Sequence, residues 1–362
     1  MHVTHVVGAR PNFMKVAPVM RALSRREGIS QRLVHTGQHY DTTLSDVFFA
    51  DLELPQPDVF LEVGSLPHGA QTAAVLHKFE ELLLTGPKTD FVIVVGDVNS
   101  SLAASLAAAK LRVPVAHVEA GLRSYDREMP EELNRVCIDH LSDVLLTPSA
   151  DADANLAREG LPASRIHCVG NVMIDTLNRE LPRARRSAIL ETLGLVQKEY
   201  SVLTLHRPSN VDDAPTLRRL ISALGPLTEE RPMIFPVHPR TRKRLADFGL
   251  VLPRGLRLVA PMGYLDFLRL TDGSALVLTD SGGLQEETTV LGIPCLTLRE
   301  NTERPITVEQ GTNTVVGLSE EKIVTEGRRA LSGKGKRGGV PPLWDGHAAE
   351  RIADVLLASV AR

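Results

Sequence analysis

The chain has 362 residues, 43% of them apolar and 23% charged, which suits a soluble globular protein of two domains of roughly 150 to 180 residues each. A formal net charge of −3 argues against bulk electrostatic binding to nucleic acid, and no stretch approaches the ~18 uninterrupted apolar residues of a membrane span. Cys137, Cys168 and Cys295 are widely spaced and form no C-x-x-C, so they read as buried thiols of a reducing cytosol, neither a disulfide framework nor a zinc site.

"MHVTHVVGARPN" lacks the charged start and long apolar middle of a secretion signal and reads as a first strand, with a cytoplasmic location expected. Short β-branched runs then alternate with helix-period segments. "HVTHVVG", "SQRLVHTG", "DFVIVVGD", "VPVAHVEAG", "DVLLTPS" and "RIHCVGN" occupy the first half. "YSVLTLH", "RPMIFPVH", "LRLVAP", "ALVLTDSGG", "PCLTLRE" and "NTVVG" follow residue 198. Runs apolar on both faces, spaced by helices such as "KVAPVMRALSRR" and "SSLAASLAAAKLR", predict parallel strands covered by helices, the α/β class. The alternation stops at "GNVMIDTLNRELPRARRSAILETLGLVQ" and restarts, which predicts two Rossmann-like domains, 1–170 and 171–343. "SGKGKRGGVPP" has the glycine and lysine of a phosphate loop without its spacing, and reads as a mobile surface loop. "DGHAAERIADVLLASVAR" closes the chain as an amphipathic helix.

Ligands of open α/β sheets bind beyond the carboxyl ends of the strands, so the residues just after each run carry the functional reading. After the first run, Arg10 and Lys15 bracket a helix start, an anion site by charge and dipole or simply a basic surface. One glycine there leaves the G-x-G-x-x-G dinucleotide fingerprint absent. Asp97 and Glu119 end neighbouring runs and Glu131 opens a helix after Pro130. Three carboxylates crowded at one edge suit general acid–base work, against an ion-pair network with Arg123 and Arg135. Glu132, Asp126 and Glu128 need only solvation or local pairing. In the second half, His206, His238 and Arg240 end strands as diphosphate neutralisers or proton donors, and Arg304 joins the same edge, against a loop salt bridge with Glu300 or Glu303. "TDSGGLQEET" lets Ser281, Gly282 and Gly283 approach a phosphate, with Glu287 on a ribose. The competing account makes Ser281 an N-cap and places Glu286 and Glu287 in the first turn, where the helix dipole favours them. There is no metal-spaced His/Cys cluster and no nucleophile elbow.

In order and spacing, "GARPNFMKVAPV", "HTGQHYD", "VVGDVNSSLAAS", "HVEAGLRS", "MPEELNR", "VGNVMIDTL", "LHRPSNVD", "PVHPRTRK", "TDSGGLQEET" and "TERPITVEQGTN" resemble the non-hydrolysing UDP-N-acetylglucosamine 2-epimerases. The resemblance implies two Rossmann-like domains facing across a cleft, the GT-B type, with residues 344–362 as a helix returning to the first domain. It implies interconversion of UDP-GlcNAc and UDP-ManNAc by elimination of UDP to 2-acetamidoglucal and re-addition, without NAD or metal. Asp97, Glu119, Glu131 and His206 fall in catalytic positions; Arg10, Lys15, Ser281, Gly282, Glu287 and Arg304 fall in substrate positions. A UDP-sugar substrate, no nucleic acid or membrane partner, and a homodimer are expected, with a UDP-diacetamido-uronate epimerase or a GT-B glycosyltransferase as alternatives. Some members are activated by a second UDP-GlcNAc through "QHR" and "RQT" motifs. Here the positions read Gln38-His39-Tyr40 and Ala70-Gln71-Thr72, so Gln38, His39 and Gln71 would be remnants of that site and activation is expected to be weak or absent.

Overall fold

The computed structural model describes residues 1–38 and 52–360, apart from the side chains of Arg10 and Val360. The chain forms two compact units, residues 1–179 with 342–362, and residues 180–341.

In the first unit the strands are β1 (His2–Val7), β2 (Ser30–His35), β3 (Val59–Phe60), β4 (Phe91–Val95), β5 (Val115–Val118), β6 (Val144–Thr147) and β7 (Ile166–Cys168). They pair in parallel, in the order β3-β2-β1-β4-β5-β6-β7 among the described residues. In the second unit β8 (Ser201–Thr204), β9 (Met233–Pro236), β10 (Leu256–Val259), β11 (Leu276–Thr279), β12 (Cys295–Thr297) and β13 (Asn313–Val315) pair in parallel in the order β10-β9-β8-β11-β12-β13. All twelve runs read from the sequence are strands. Among the described residues only β3 is additional, a two-residue edge strand too short to show a period.

The continuous apolar runs follow from burial on both faces. Phe91, Ile93 and Val95 of β4 face a core with Val19, Leu23 and the C-terminal helix Ala348–Val360, while Val92 and Val94 face Phe79, Ala104, Ala107 and Ile138. Leu276 and Leu278 of β11 likewise face one core and Val277 the other. The C-terminal helix is therefore part of the first unit's core through Ile352, Ala353 and Leu356, each fully buried Ile or Leu stabilising by roughly 1.5–3 kcal/mol. The loop read as mobile is tied down, because the Lys336 amine donates to the carbonyls of Val308 and, at 3.0 Å, Asn313. None of the described helices is long and apolar enough to cross a membrane.

Strand order reverses beside β1 in the first unit and beside β8 in the second, so the crevices at the carboxyl ends of β1/β4 and β8/β11 are where this topology receives ligands. A cavity of about 890 Å³ opens at the other, amino end of the first sheet, lined by Met1, Asp90, Pro114, Asp143 and Asp354 among others, and holds none of the residues nominated above.

Asp175, on the helix Val172–Ala184, caps the C-terminal helix by accepting from the amides of Ala348 at 3.2 Å and Ala349 at 2.8 Å. Burial raises its carboxyl to about 6. At pH 8, where the carboxylate is ionised, Asp175→Ala should lower unfolding stability by about 1–2 kcal/mol in a denaturant titration; an unchanged midpoint would refute the cap.

Candidate functional site

At the β1/β4/β5 edge, Glu119 follows the last residue of β5 and adopts a left-handed backbone, φ +74°. A non-glycine residue there is strained, and such strain concentrates at sites where a side chain must point in one direction. Its carboxylate pairs with the Lys15 amine, both side chains less than a tenth exposed. The pair sits over the β4 turn: a Cβ added at Gly96, itself at φ +62°, would lie 3.1 Å from Lys15 Nζ and 3.2 Å from Glu119 Oε2. Lys15 thus belongs to the carboxylate cluster as its countercharge.

Asp97 follows that glycine and is bound by Arg135, whose other arm reaches Glu132 at 2.6 Å. Asn134 donates to the Asp97 carbonyl at 2.9 Å. These contacts dock the helix Pro130–Leu141 against the β4 turn and hold half-buried Glu131, one turn before Asn134 and Arg135, at the same edge. Glu132 is buried and does more than the local pairing expected of it. It accepts from the Ser124 amide (3.0 Å), the Ser124 hydroxyl (2.9 Å) and the Tyr125 amide (2.8 Å), which folds the loop after Glu119 onto the helix.

Gln38 and Gln71 spend their side chains on the protein. Gln38 Oε1 accepts from the Ser100 amide at 3.0 Å, and Gln71 Nε2 donates to the carbonyls of Gln38 and Gly64. Asn99 Nδ2 donates to Gln71 Oε1 at 2.9 Å and Asn134 Nδ2 to Asn99 Oδ1 at 3.1 Å, so a chain of amides runs from Gln38 to Asp97. His39 and Tyr40, like the side chain of Arg10, lie outside the described residues.

In the second unit His206 and Ser281 each follow by two residues the paired strands β8 and β11. Asp280, completely buried, accepts from the amides of His206 (3.0 Å) and Arg207 (2.9 Å), and its Oδ1 lies 2.8 Å from His206 Nδ1. Desolvation alone would raise the Asp280 pKa; the His206 ring and the amides outweigh it and leave the carboxyl below its usual range. The carboxylate therefore fixes a proton on Nδ1 and the orientation of a ring that stays half exposed, the relation of base and orienter in catalytic dyads. Sequence reading passed over Asp280 as a strand end; the signal available was its place beside Ser-Gly-Gly, and only pairing of β8 with β11 brings it under His206.

The helix Gly282–Leu291 has Ser281 as N-cap residue, yet the Ser281 hydroxyl makes no capping bond, and no acidic residue lies in the first turn. Glu286 and Glu287 are in the second turn, so the dipole account of them fails. Gly282 has a packing reason: a Cβ there would lie 2.4 Å from an Arg304 guanidinium nitrogen. Arg304 is buried between Glu286 and Glu303, each at 2.7 Å, so the salt bridge weighed for it is present with Glu303 and extended by Glu286. Gly283 is half-buried in the same turn. His238 is exposed and caps the helix Pro239–Asp247 through Nδ1, which accepts from the Arg240 amide at 3.3 Å, while the Arg240 side chain pairs with Asp212.

A model of the family described as UDP-N-acetylglucosamine 2-epimerase matches residues 21–357. The chain is 41% identical over 365 residues to the UDP-N-acetylglucosamine 2-epimerase of Methanocaldococcus jannaschii, covering 98% of this chain and 99% of that one. It is 40% identical to the UDP-2,3-diacetamido-2,3-dideoxy-D-glucuronate 2-epimerase of Pseudomonas aeruginosa, over 98% of this chain and 99% of that protein. The fold superimposes with a TM-score of 0.92 on the crystal structure of the M. jannaschii enzyme in complex with UDP-GlcNAc and UDP, covering 99% of this chain and 100% of that one.

Glu287 is the residue of this set whose charge the fold opposes. Desolvation raises its carboxyl to about 7; a 3.0 Å hydrogen bond from Tyr264 opposes that, and the neighbouring Glu286 adds to it. The folded chain keeps this proton up to about pH 7, whereas an unfolded glutamate loses it near 4.5. Between those values the folded state binds more protons, so stability falls as pH rises, by at most about 3 kcal/mol. In Glu287→Gln the melting temperature relative to the parent should therefore climb from pH 5 to about pH 7 and level off above it; a difference independent of pH would refute the buried proton.

Proposed function

The chain belongs to the UDP-N-acetylglucosamine 2-epimerase family, and we propose that it interconverts UDP-GlcNAc and UDP-ManNAc, working as a cytoplasmic homodimer. Family membership along nearly the whole chain carries this reading. The sugar C2 hydrogen has no adjacent carbonyl, so simple enolisation is closed. A base removes the C2 proton while the C1–O bond breaks toward the diphosphate, leaving 2-acetamidoglucal and UDP. Delivery of a proton to the other face of C2 and return of UDP to C1 give the epimer. The route needs a base, an acid and stabilisation of the departing diphosphate.

The first unit supplies the carboxylates. Asp97, Glu119 and Glu131 serve as base and acid at C2, with Lys15 holding the Glu119 carboxylate in place. The second unit supplies the leaving-group site. Ser281, whose hydroxyl is not spent on capping, receives phosphate with the helix N-terminus of Gly282 and Gly283. Glu287 accepts from the ribose hydroxyls, and Arg304 completes the site. His206, with Nδ1 held by Asp280, donates from its other nitrogen to the departing phosphate oxygen. His238 and Arg240 stand at the same strand edge as further contacts for the diphosphate. Because Gln38 and Gln71 are engaged internally, activation by a second UDP-GlcNAc is weak or absent in this reading.

A second reading, epimerisation of UDP-2,3-diacetamido-glucuronate, is favoured by the near-equal identity to the P. aeruginosa enzyme. Incubation with UDP-GlcNAc in deuterium oxide, followed by NMR, separates them. UDP-ManNAc carrying deuterium at C2 is expected; inert UDP-GlcNAc beside turnover of the uronate would transfer the assignment to the second reading. Glu131→Gln and His206→Ala should each lower kcat by about 10²- to 10⁴-fold with thermal melts unchanged, and near-normal turnover would remove that residue from the mechanism.

A further inference from the structure

Ser281 lies in the turn after β11 and Arg304 in the loop between β12 and β13, and a side chain to which the reaction gives no task joins the two. Gln285, on the helix Gly282–Leu291, is fully buried. Its Nε2 donates to the Ser281 carbonyl at 3.2 Å. Its Oε1 accepts from the Thr302 hydroxyl at 2.7 Å and from Asn313 Nδ2 at 3.0 Å. The reverse orientation of the amide would set an oxygen against the Ser281 carbonyl, so the partners fix which end is which.

From these two donors the bonds continue to Arg304. The Thr302 hydroxyl, having donated to Gln285, accepts from the Arg304 amide at 3.1 Å. Asn313 Nδ2 gives its second hydrogen to the Thr307 hydroxyl at 3.1 Å, and that hydroxyl donates to the Arg304 carbonyl at 2.8 Å. The bonds close a ring that runs from Gln285 Oε1 through Thr302, the Arg304 backbone, Thr307 and Asn313 back to Gln285 Oε1. Asn313 Oδ1 is filled in turn by the Thr297 hydroxyl at 2.7 Å. Arg304 enters the ring through its backbone alone, and its guanidinium stays with Glu286 and Glu303.

Such a ring adds little to stability. Each bond replaces one made to water and nets only about 0.5–1.5 kcal/mol, and apolar side chains of the same shape would fill this interior as well. What the ring supplies is geometry, because a fully satisfied buried network specifies one arrangement of its members. Gln285 Nε2 points out of that ring, and its bond ends on Ser281.

We propose that Gln285 is a positioning residue of the leaving-group site, a neutral tie that sets the phosphate turn at Ser281 against the loop of Arg304. Thr302 carries the tie to the Arg304 amide. The consequence for the diphosphate rests on the function proposed above; the ring does not.

Binding of UDP and of uridine to the full chain, measured by calorimetry, reads the site without turnover. Thr302→Val keeps the side chain's shape and removes the hydroxyl between Gln285 and Arg304. It should weaken UDP by about 3- to 10-fold and leave uridine, which has no diphosphate, within about 1.5-fold of wild type. Gln285→Met removes both ends of the tie, and should cost more affinity for UDP than Thr302→Val with uridine again unmoved. Equal losses for UDP and uridine would mark the ring as packing alone and overturn the inference. So would UDP affinity unchanged in both variants, while the wild-type preference for UDP over uridine still upheld the site. A wild-type chain that binds UDP no tighter than uridine would sink the diphosphate site itself, and this inference with it. If Gln285→Met does not fold, Thr302→Val still decides.

Discussion

A carboxylate taken out of water survives as an anion only where donors replace the water, and each unit of this chain buries one beside a histidine. Asp139 in the first and Asp280 in the second are both fully excluded from solvent, and each is satisfied by backbone amides and a histidine nitrogen. The two histidines differ in what is left over. His117 has both nitrogens committed inside the protein, so it can hold but cannot transfer a proton. His206 has one nitrogen committed and remains half exposed, so it can do both. The same pairing leaves one histidine fully engaged within the protein and the other half exposed.

Paired charge recurs at the remaining strand ends. Lys15 and Glu119, Arg135 with Asp97 and Glu132, and Arg304 with Glu286 and Glu303 are internally compensated before any ligand arrives. Ion pairs of this kind add little net stability, because desolvation costs about as much as attraction returns. Their effect is to restrict direction: Glu119 accepts a left-handed backbone and Gly282 a contact that no Cβ could tolerate. Glu287 is the exception, a buried carboxyl with one hydroxyl donor that the fold leaves near neutrality. A group in that state costs the folded protein stability, the usual opposition between stability and function.

The fold was largely legible from residues. Twelve both-faced apolar runs became twelve strands, because a parallel sheet covered by helices needs apolar side chains at odd and even positions alike; β3, with two residues at an edge, offers no such pattern. The strand-end rule also picked out Asp97, Glu119, His206 and Ser281 as residues at carboxyl edges, since that rule depends on topology more than on detail. What local pattern did not show is the contacts that side chains with two plausible duties make inside the protein. His238 caps a helix, Lys15 neutralises a carboxylate, and Gln38 and Gln71 tie loops to the helix Asn99–Lys110. Glu132, expected to be incidental, organises a loop.

By itself, then, the sequence determined the class of fold, the strands, the edge where chemistry gathers, and the motif set of one enzyme family, all of which follow from local pattern. Only the tertiary structure decided which of those polar groups are spent on one another. Asp280 under His206 and Asp139 under His117 are contacts across 74 and 22 residues of chain. No local pattern encodes them; they exist because β8 pairs with β11 and because a helix carries Asp139 back beneath β5.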